Sequence, residues 1–172
     1  MHHLATEKRQ DNLDEFLELF SGLPLENSER ESHLIGFCER YKTNILSAMP
    51  WVASEFAAYC GFEILFKILH SHGGRKIYLP KELNKFSHLY GVNIPQHSYL
   101  KLYKKADSSG YLDIPSTWGV FIAIRRAAMQ IAMKEDVPAK RLTQTFGITM
   151  RNIRLIKNLS QKELSLINGE HF

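Results

Sequence analysis

The stretch that most narrows what this chain can fold into is 139–158, AKRLTQTFGITMRNIRLIKN. Gly147 stands where two short helices must turn sharply, and glycine takes a positive φ there without steric cost. Leu142 and Phe146 before it, and Ile148, Ile153 and Ile156 after it, fall on the inner faces of two crossed helices. That spacing predicts one small shared core. Pro138 suits the first turn of the first helix, where its missing N–H is not needed. Thr149 can cap the second helix through its hydroxyl. Thr143 is a departure that counts the other way: it stands at the close contact of the two helices, where this motif most often has alanine. The segment still reads as a helix-turn-helix, and Met150, Arg151, Asn152, Arg154, Leu155 and Lys157 are left on or near the outer face of its second helix. A face of that kind, N-terminal residues foremost, is what enters a major groove.

Charge agrees with that geometry. Residues 137–162 hold no Asp or Glu, against Lys140, Arg141, Arg151, Arg154, Lys157 and Lys162. Such a surface gains affinity for the dense phosphate line of DNA by releasing counterions. Double-stranded DNA is thus the expected partner, with Lys140, Arg141, Thr149, Met150, Arg151, Asn152, Arg154 and Lys157 as the candidate contacts. The competing reading is a solvated basic helix pair that merely closes a domain. The opposite end is acidic: residues 1–40 carry four bases and nine acids, a net of 4 − 9 = −5. The asymmetry fits a nucleic-acid face at one end.

The remaining pattern is mainly helical. Leu13, Phe16, Leu17 and Phe20 recur at helical spacing among acids, predicting a short amphipathic helix over 11–20 that Gly22 and Pro24 end. Ser28-Glu29-Arg30-Glu31 has the form of a capping box. A helix is expected from there to about Ser47, with Leu34, Cys38, Tyr41 and Ile45 inward, before Pro50 interrupts. The most apolar part, 51–70, predicts two helices meeting at Gly61. Its apolar residues lie on more than one face, so it needs cover on both sides. A second subunit is one natural cover; wrapping by the N-terminal helices is the other. The expected dimer interface is Phe56, Phe62, Leu65, Phe66, Leu69, Ile77, Tyr78 and Leu79.

Gly73-Gly74 should end that helix. Ile77-Tyr78-Leu79, stopped by Pro80, and Tyr111-Leu112-Asp113 read as two short strands, which need partners. They can pair with each other or with copies in a second chain. Between them, 83–101 weakly repeats the helix-turn-helix: setting Gly91 on Gly147 places Phe86 on Leu142, Tyr90 on Phe146, Val92 on Ile148 and Leu100 on Ile156. His97 then falls where Ile153 should be, and chance agreement of a helical hairpin is the simpler explanation. Ser116-Thr117 can cap a helix over 118–134, with Arg125 and Arg126 facing solvent or DNA. Ser160-Gln161-Lys162-Glu163 is another capping-box pattern, predicting a last helix to about Ile167. The expected divisions are an acidic helical extension over 1–48, a dimerisation region with short strands and an inserted helical segment over 49–115, and a helix-turn-helix domain over 116–172. The fold class is mainly α, with one or two short strands.

These pieces together resemble the Mor transcription activator family, first known from bacteriophage middle-gene activators. The likeness rests on Gly61 to Leu69 (GFEILFKIL), on Gly73 to Lys81 (GGRKIYLPK), and on Leu142 to Ile156. Pro115 stands 147 − 115 = 32 residues before the turn glycine and Pro80 stands 147 − 80 = 67, so about 35 extra residues (115 − 80) lie within the family pattern. Either strand can be the family counterpart. The likeness covers roughly 50–158. It implies a homodimer with a joint platform of helices and strand, a promoter with dyad symmetry, and activation through RNA polymerase.

Nothing points to catalysis. Among eight histidines there is no H-E-x-x-H, and no glycine-rich nucleotide loop occurs. His70 and His72 lack a neighbouring carboxylate or thiolate in sequence, and Asp107 and Asp113 lack calcium-loop spacing. Neither a catalytic site, a metal nor a cofactor is expected. Cys38 and Cys60 are too few for a disulfide framework and predict two buried thiols. No apolar run reaches membrane length and no signal peptide is apparent, so a bacterial cytosolic protein is expected. The remaining alternative is a non-enzymatic adaptor that binds other proteins through 51–70.

Overall fold

The computed structural model describes residues 15–158 apart from 17 and 136. The last capping box and its helix therefore lie outside the described residues, as do Leu13 and Leu17. The chain divides into two compact units. Leu23–Ala127 forms one; the described residues up to Gly22, with those from Ala128 onward, form the other. The front of the chain belongs with its end because Phe16, Leu19 and Phe20 are at most 3% exposed and need apolar cover.

The larger unit starts at α1 (Glu29–Arg40). Its N-cap Ser28 accepts the Glu31 N–H at 3.1 Å, as the capping box predicts. Glu31 Oε2 in turn accepts the Asn27 N–H at 2.7 Å. The single helix expected to Ser47 is broken at Tyr41 (φ −109°, ψ 33°), and α2 (Lys42–Ala48) follows. Leu34, Cys38 and Ile45 still face the core, each fully buried. α3 (Trp51–Cys60) and α4 (Phe62–His72) meet at Gly61, whose φ of 90° and ψ of 161° suit glycine alone. The cover for this apolar pair comes from the chain itself: α2 packs on α3, and α1 packs on α4. Glu31 of α1 also meets His70 of α4 through a short hydrogen bond between largely buried side chains.

α4 ends at Gly73. A Cβ there would stand 2.4 Å from Thr117 Oγ1 and 2.6 Å from the Leu69 carbonyl, so only glycine fits. The strands β1 (Lys76–Tyr78) and β2 (Tyr111–Asp113) pair with each other, antiparallel, with Ile77 opposite Leu112 and Tyr78 opposite Tyr111. Ile77 and Leu112 face inward; Tyr78 and Tyr111 face out, rings 5.4 Å apart. The outward backbone groups at this level are already bonded. Tyr78 N–H and C=O both pair with the Tyr90 hydroxyl, each at 2.9 Å. Tyr111 N–H donates to Asp107 Oδ1 at 2.9 Å, and its carbonyl accepts the Asp107 N–H at 2.8 Å.

Between the strands lie α5 (Leu83–Tyr90) and α6 (Gln96–Tyr103), joined through Gly91 in left-handed geometry (φ 62°, ψ 31°). Phe86, Tyr99 and Leu102 are buried, and α6 packs against α3. The Tyr99 hydroxyl donates to the Pro80 carbonyl at 2.5 Å. α7 (Thr117–Lys134) then divides the expected capping pair into two tasks. Ser116 Oγ accepts the Gly119 N–H at 3.0 Å, while Thr117 Oγ1 donates to the Leu69 carbonyl, at 2.8 Å, and ties off α4. The residues of α7 up to Ala127 belong to the larger unit.

The smaller unit takes the rest of α7, where Ala128, Met129, Ile131 and Ala132 are buried. α8 (Ala139–Phe146) and a helix over 150–158 follow. The N-terminal segment packs on them: the rings of Phe16 and Phe20 lie 6.2 and 6.0 Å from Phe146.

Candidate nucleic-acid interface

The two helices of 139–158 are joined by a turn of three residues, Gly147 to Thr149. Gly147 adopts φ 57° and ψ 35°, the left-handed conformation the sequence requires of it. Pro138 sits at the N-cap of α8, and its carbonyl accepts the N–H groups of Arg141 and Leu142 at 2.9 and 3.1 Å. Thr149 Oγ1 accepts the Asn152 N–H at 3.3 Å, which caps the second helix as expected. Thr143 Oγ1 donates to Lys140 O at 2.6 Å, so its hydroxyl is satisfied within its own helix.

Burial sorts this segment into two faces. Leu142, Phe146 and Ile153 are at most 1% exposed, and Ile148 and Ile156 are half-buried. Lys140, Arg141, Thr149, Met150, Arg151, Asn152, Arg154 and Lys157 are all exposed. α8 carries the first two, and the rest line the turn and the helix after it. No carboxylate side chain occurs within 137–158. The surface can therefore offer guanidinium forks, ammonium groups and an amide to an anionic partner.

Sequence periodicity did not identify the residues that hold this surface from behind. Phe16, Leu19 and Phe20 are buried, and two of them contact Phe146. Their amphipathic stripe was visible; its partner was not, because a stripe states that cover is needed and not from where.

The expected dimer surface is placed differently. Phe56, Phe62, Leu65, Phe66, Leu69, Ile77 and Leu79 are each at most 2% exposed within a single chain. Intrachain packing already satisfies the apolar demand that suggested a second subunit. Of the eight, only Tyr78, 43% exposed, is on the surface.

Among the described residues, no three His, Cys, Asp or Glu side chains gather as a metal site would require. His70 does meet a carboxylate, Glu31, which comes from 39 residues upstream and so escapes a local reading. His72 packs edge-on against Tyr90, with centroids 5.0 Å apart. Cys38 is buried, and burial pushes its thiol well above the usual range. Cys60 is only half-buried, and desolvation pushes it up to about 12. Both sulfurs therefore stay as thiols near neutral pH, without the thiolate a nucleophile needs. Among the described residues, no helix is long and apolar enough to cross a membrane. Compared with protein-family models, with curated proteins and with solved structures, the chain finds no match.

Proposed function

We propose that this chain is a sequence-specific, DNA-binding regulator of transcription, with 139–158 acting as a helix-turn-helix. The observation that carries the reading is the sorting by burial. Three apolar residues at helix-turn-helix spacing are inside, eight polar, basic or long side chains are outside, and the turn glycine is left-handed. Arg151 and Arg154 lie three apart near the start of the second helix, on nearly one face. Arginine there can pair with guanine O6 and N7. Lys140 and Arg141 lie on the preceding helix and suit phosphates.

The test is a binding series on a site selected from random duplexes, read against single-base variants. Arg151→Ala should cost about 1–3 kcal/mol and relax preference at one base pair, while Lys140→Ala should weaken all sequences alike. Equal, uniform losses for both would make this end a non-specific basic surface.

The resemblance to Mor activators supports activation through RNA polymerase in a bacterial cytosol, and supports a homodimer on a dyad site. A dimer also follows from the weakness of single helix-turn-helix units. Its surface must use exposed residues such as Tyr78. Light scattering should give twice the chain mass; a monomer at micromolar concentration removes the dimer. No catalysis, metal or cofactor enters this reading. The adaptor alternative draws on Trp51 and Trp118, 59% and 55% exposed. A salt-dependent gel shift separates the two.

A further inference from the structure

The inserted helices α5 and α6 reproduce, in another part of the chain, the features that make 139–158 a candidate DNA surface. Both pairs have an eight-residue first helix closed by a left-handed glycine. Both bury an apolar side chain four residues before the end of that helix, Phe86 or Leu142. Counted from the first helical residue, Gln96 or Met150, the second helices bury the same positions: 99 − 96 and 153 − 150 are both 3, giving Tyr99 and Ile153. The sixth positions are Leu102, fully buried, and Ile156, half-buried.

The charge also matches. Residues 75–105 carry Arg75, Lys76, Lys81, Lys85, Lys101, Lys104 and Lys105 against Glu82 alone, 7 − 1 = +6, the same net charge as 137–162, which holds six bases and no acid. All seven are exposed. Lys85 pairs with Glu82 at 3.0 Å, Lys105 with Glu55 at 3.5 Å and Lys76 with Asp113 at 3.8 Å. Exposed or partly exposed pairs of this kind are weak and can be exchanged for phosphates. The solvent face of α6 is Gln96, His97, Leu100 and Lys101, continued by Lys104 at its C-cap, three residues beyond Lys101 on the same side.

We propose that α5 and α6 form a second contact surface for double-stranded DNA, in which the exposed face of α6 lies along the phosphate backbone. The proposal rests on the reading that the chain binds duplex DNA, and it adds a surface to which that reading assigns no role. The lysines face phosphates and not bases, since an ammonium on a flexible stem acts as a point charge and lacks the planar fork of arginine. Binding through this face is therefore indifferent to sequence and sensitive to salt.

The experiment uses the full chain and the selected duplex, and measures the dependence of log affinity on log salt. Lys101→Gln with Lys104→Gln should lower the slope by about two and weaken every sequence alike, with Tm unchanged. Lys81→Gln with Lys85→Gln, just before and within the first turn of α5, gives a second reading should the first variant melt early. An unchanged slope in both, with Arg151→Ala still weakening binding, overturns this proposal and leaves the helix-turn-helix reading standing. Loss of binding to an RNA hairpin without change on the duplex would overturn duplex DNA as the occupant. Failure of the unsubstituted chain to bind any duplex overturns both readings.

Discussion

The two helix pairs of this chain share a first helix and differ in their turns. From Gly147 to the next helical residue is 150 − 147 = 3 positions; from Gly91 it is 96 − 91 = 5. Two extra residues at about 100° each would rotate the second helix by about 200° if the helix simply continued. In α6 the inward positions have moved along the sequence by the same two residues, so Tyr99 and Leu102 point in and His97 points out. Turn length therefore decides which side chains a second helix offers to solvent. An ungapped alignment of the pairs puts His97 in the core, where an imidazole without a partner would be costly. The structural correspondence is better than that alignment suggests.

The pairs also differ in what supports them, and this makes the comparison testable. Phe146 rests on Phe16 and Phe20, from the opposite end of the chain. Phe86 rests on its own neighbourhood, with Tyr90 and Tyr99 at 4.8 and 4.9 Å. Phe16→Ala should cost about 3–5 kcal/mol, as for other buried phenylalanines, and should weaken DNA binding with it. The acidic front, whose charge repels phosphates, would then still be necessary to the basic end. Denaturant unfolding and a gel shift on the same variant decide it. Unchanged stability would detach the front from the interface.

A smaller and more symmetric effect is expected at the turns. Gly91→Ala and Gly147→Ala each place a Cβ in left-handed geometry, with a cost of about 1 kcal/mol. At Gly91 a Cβ meets nothing within 4 Å, so backbone strain is the whole penalty there. A much larger loss at Gly147 would mean that its turn is held more tightly than the longer one. Thermal unfolding of both variants makes the comparison.

The smallest effect concerns Asp107, which precedes β2. The Tyr111 N–H, followed by that of Ser109, holds its carboxyl below the usual carboxylate range. A lowered folded-state value means that the contribution is complete above the unfolded carboxylate value, about 3.9. It is lost as pH falls through the lower folded value. Asp107→Asn should flatten that part of the acid limb by lowering the neutral plateau slightly, and leave stability at the acid end nearly unchanged. An acid titration of unfolding in both proteins reads it; identical curves would mean that Asp107 contributes nothing.

Local chemistry was legible in the sequence, and long-range cover was not. Ser28 and Glu31, Gly61, Gly147 and Thr149 do what their residue types and spacing say, because each acts within a few positions of itself. Tyr41 misled because it falls at an inward helical position while the backbone breaks there. The apolar 51–70 segment announced a need for cover, and whether the cover was a second subunit or α1 and α2 could not be read from periodicity. The basic outer face of 139–158 was legible residue by residue. Its dependence on Phe16 and Phe20 was not, since nothing local links the two ends of a chain.

The hydroxyl of Tyr90 and the groups of Asp107 have one more consequence. A two-stranded ribbon ordinarily leaves an open edge on each side, and open edges recruit strands from other molecules. Here each edge is occupied at the level of Tyr78 and Tyr111, by a phenol on one side and an aspartate on the other. Burial raises the Tyr90 phenol above the ordinary tyrosine value. A strand arriving at either edge would have to displace the group that occupies it before gaining a hydrogen bond at that step. At that step neither edge is open, and the two exposed tyrosine rings can face the solvent without turning the backbone beside them into a template.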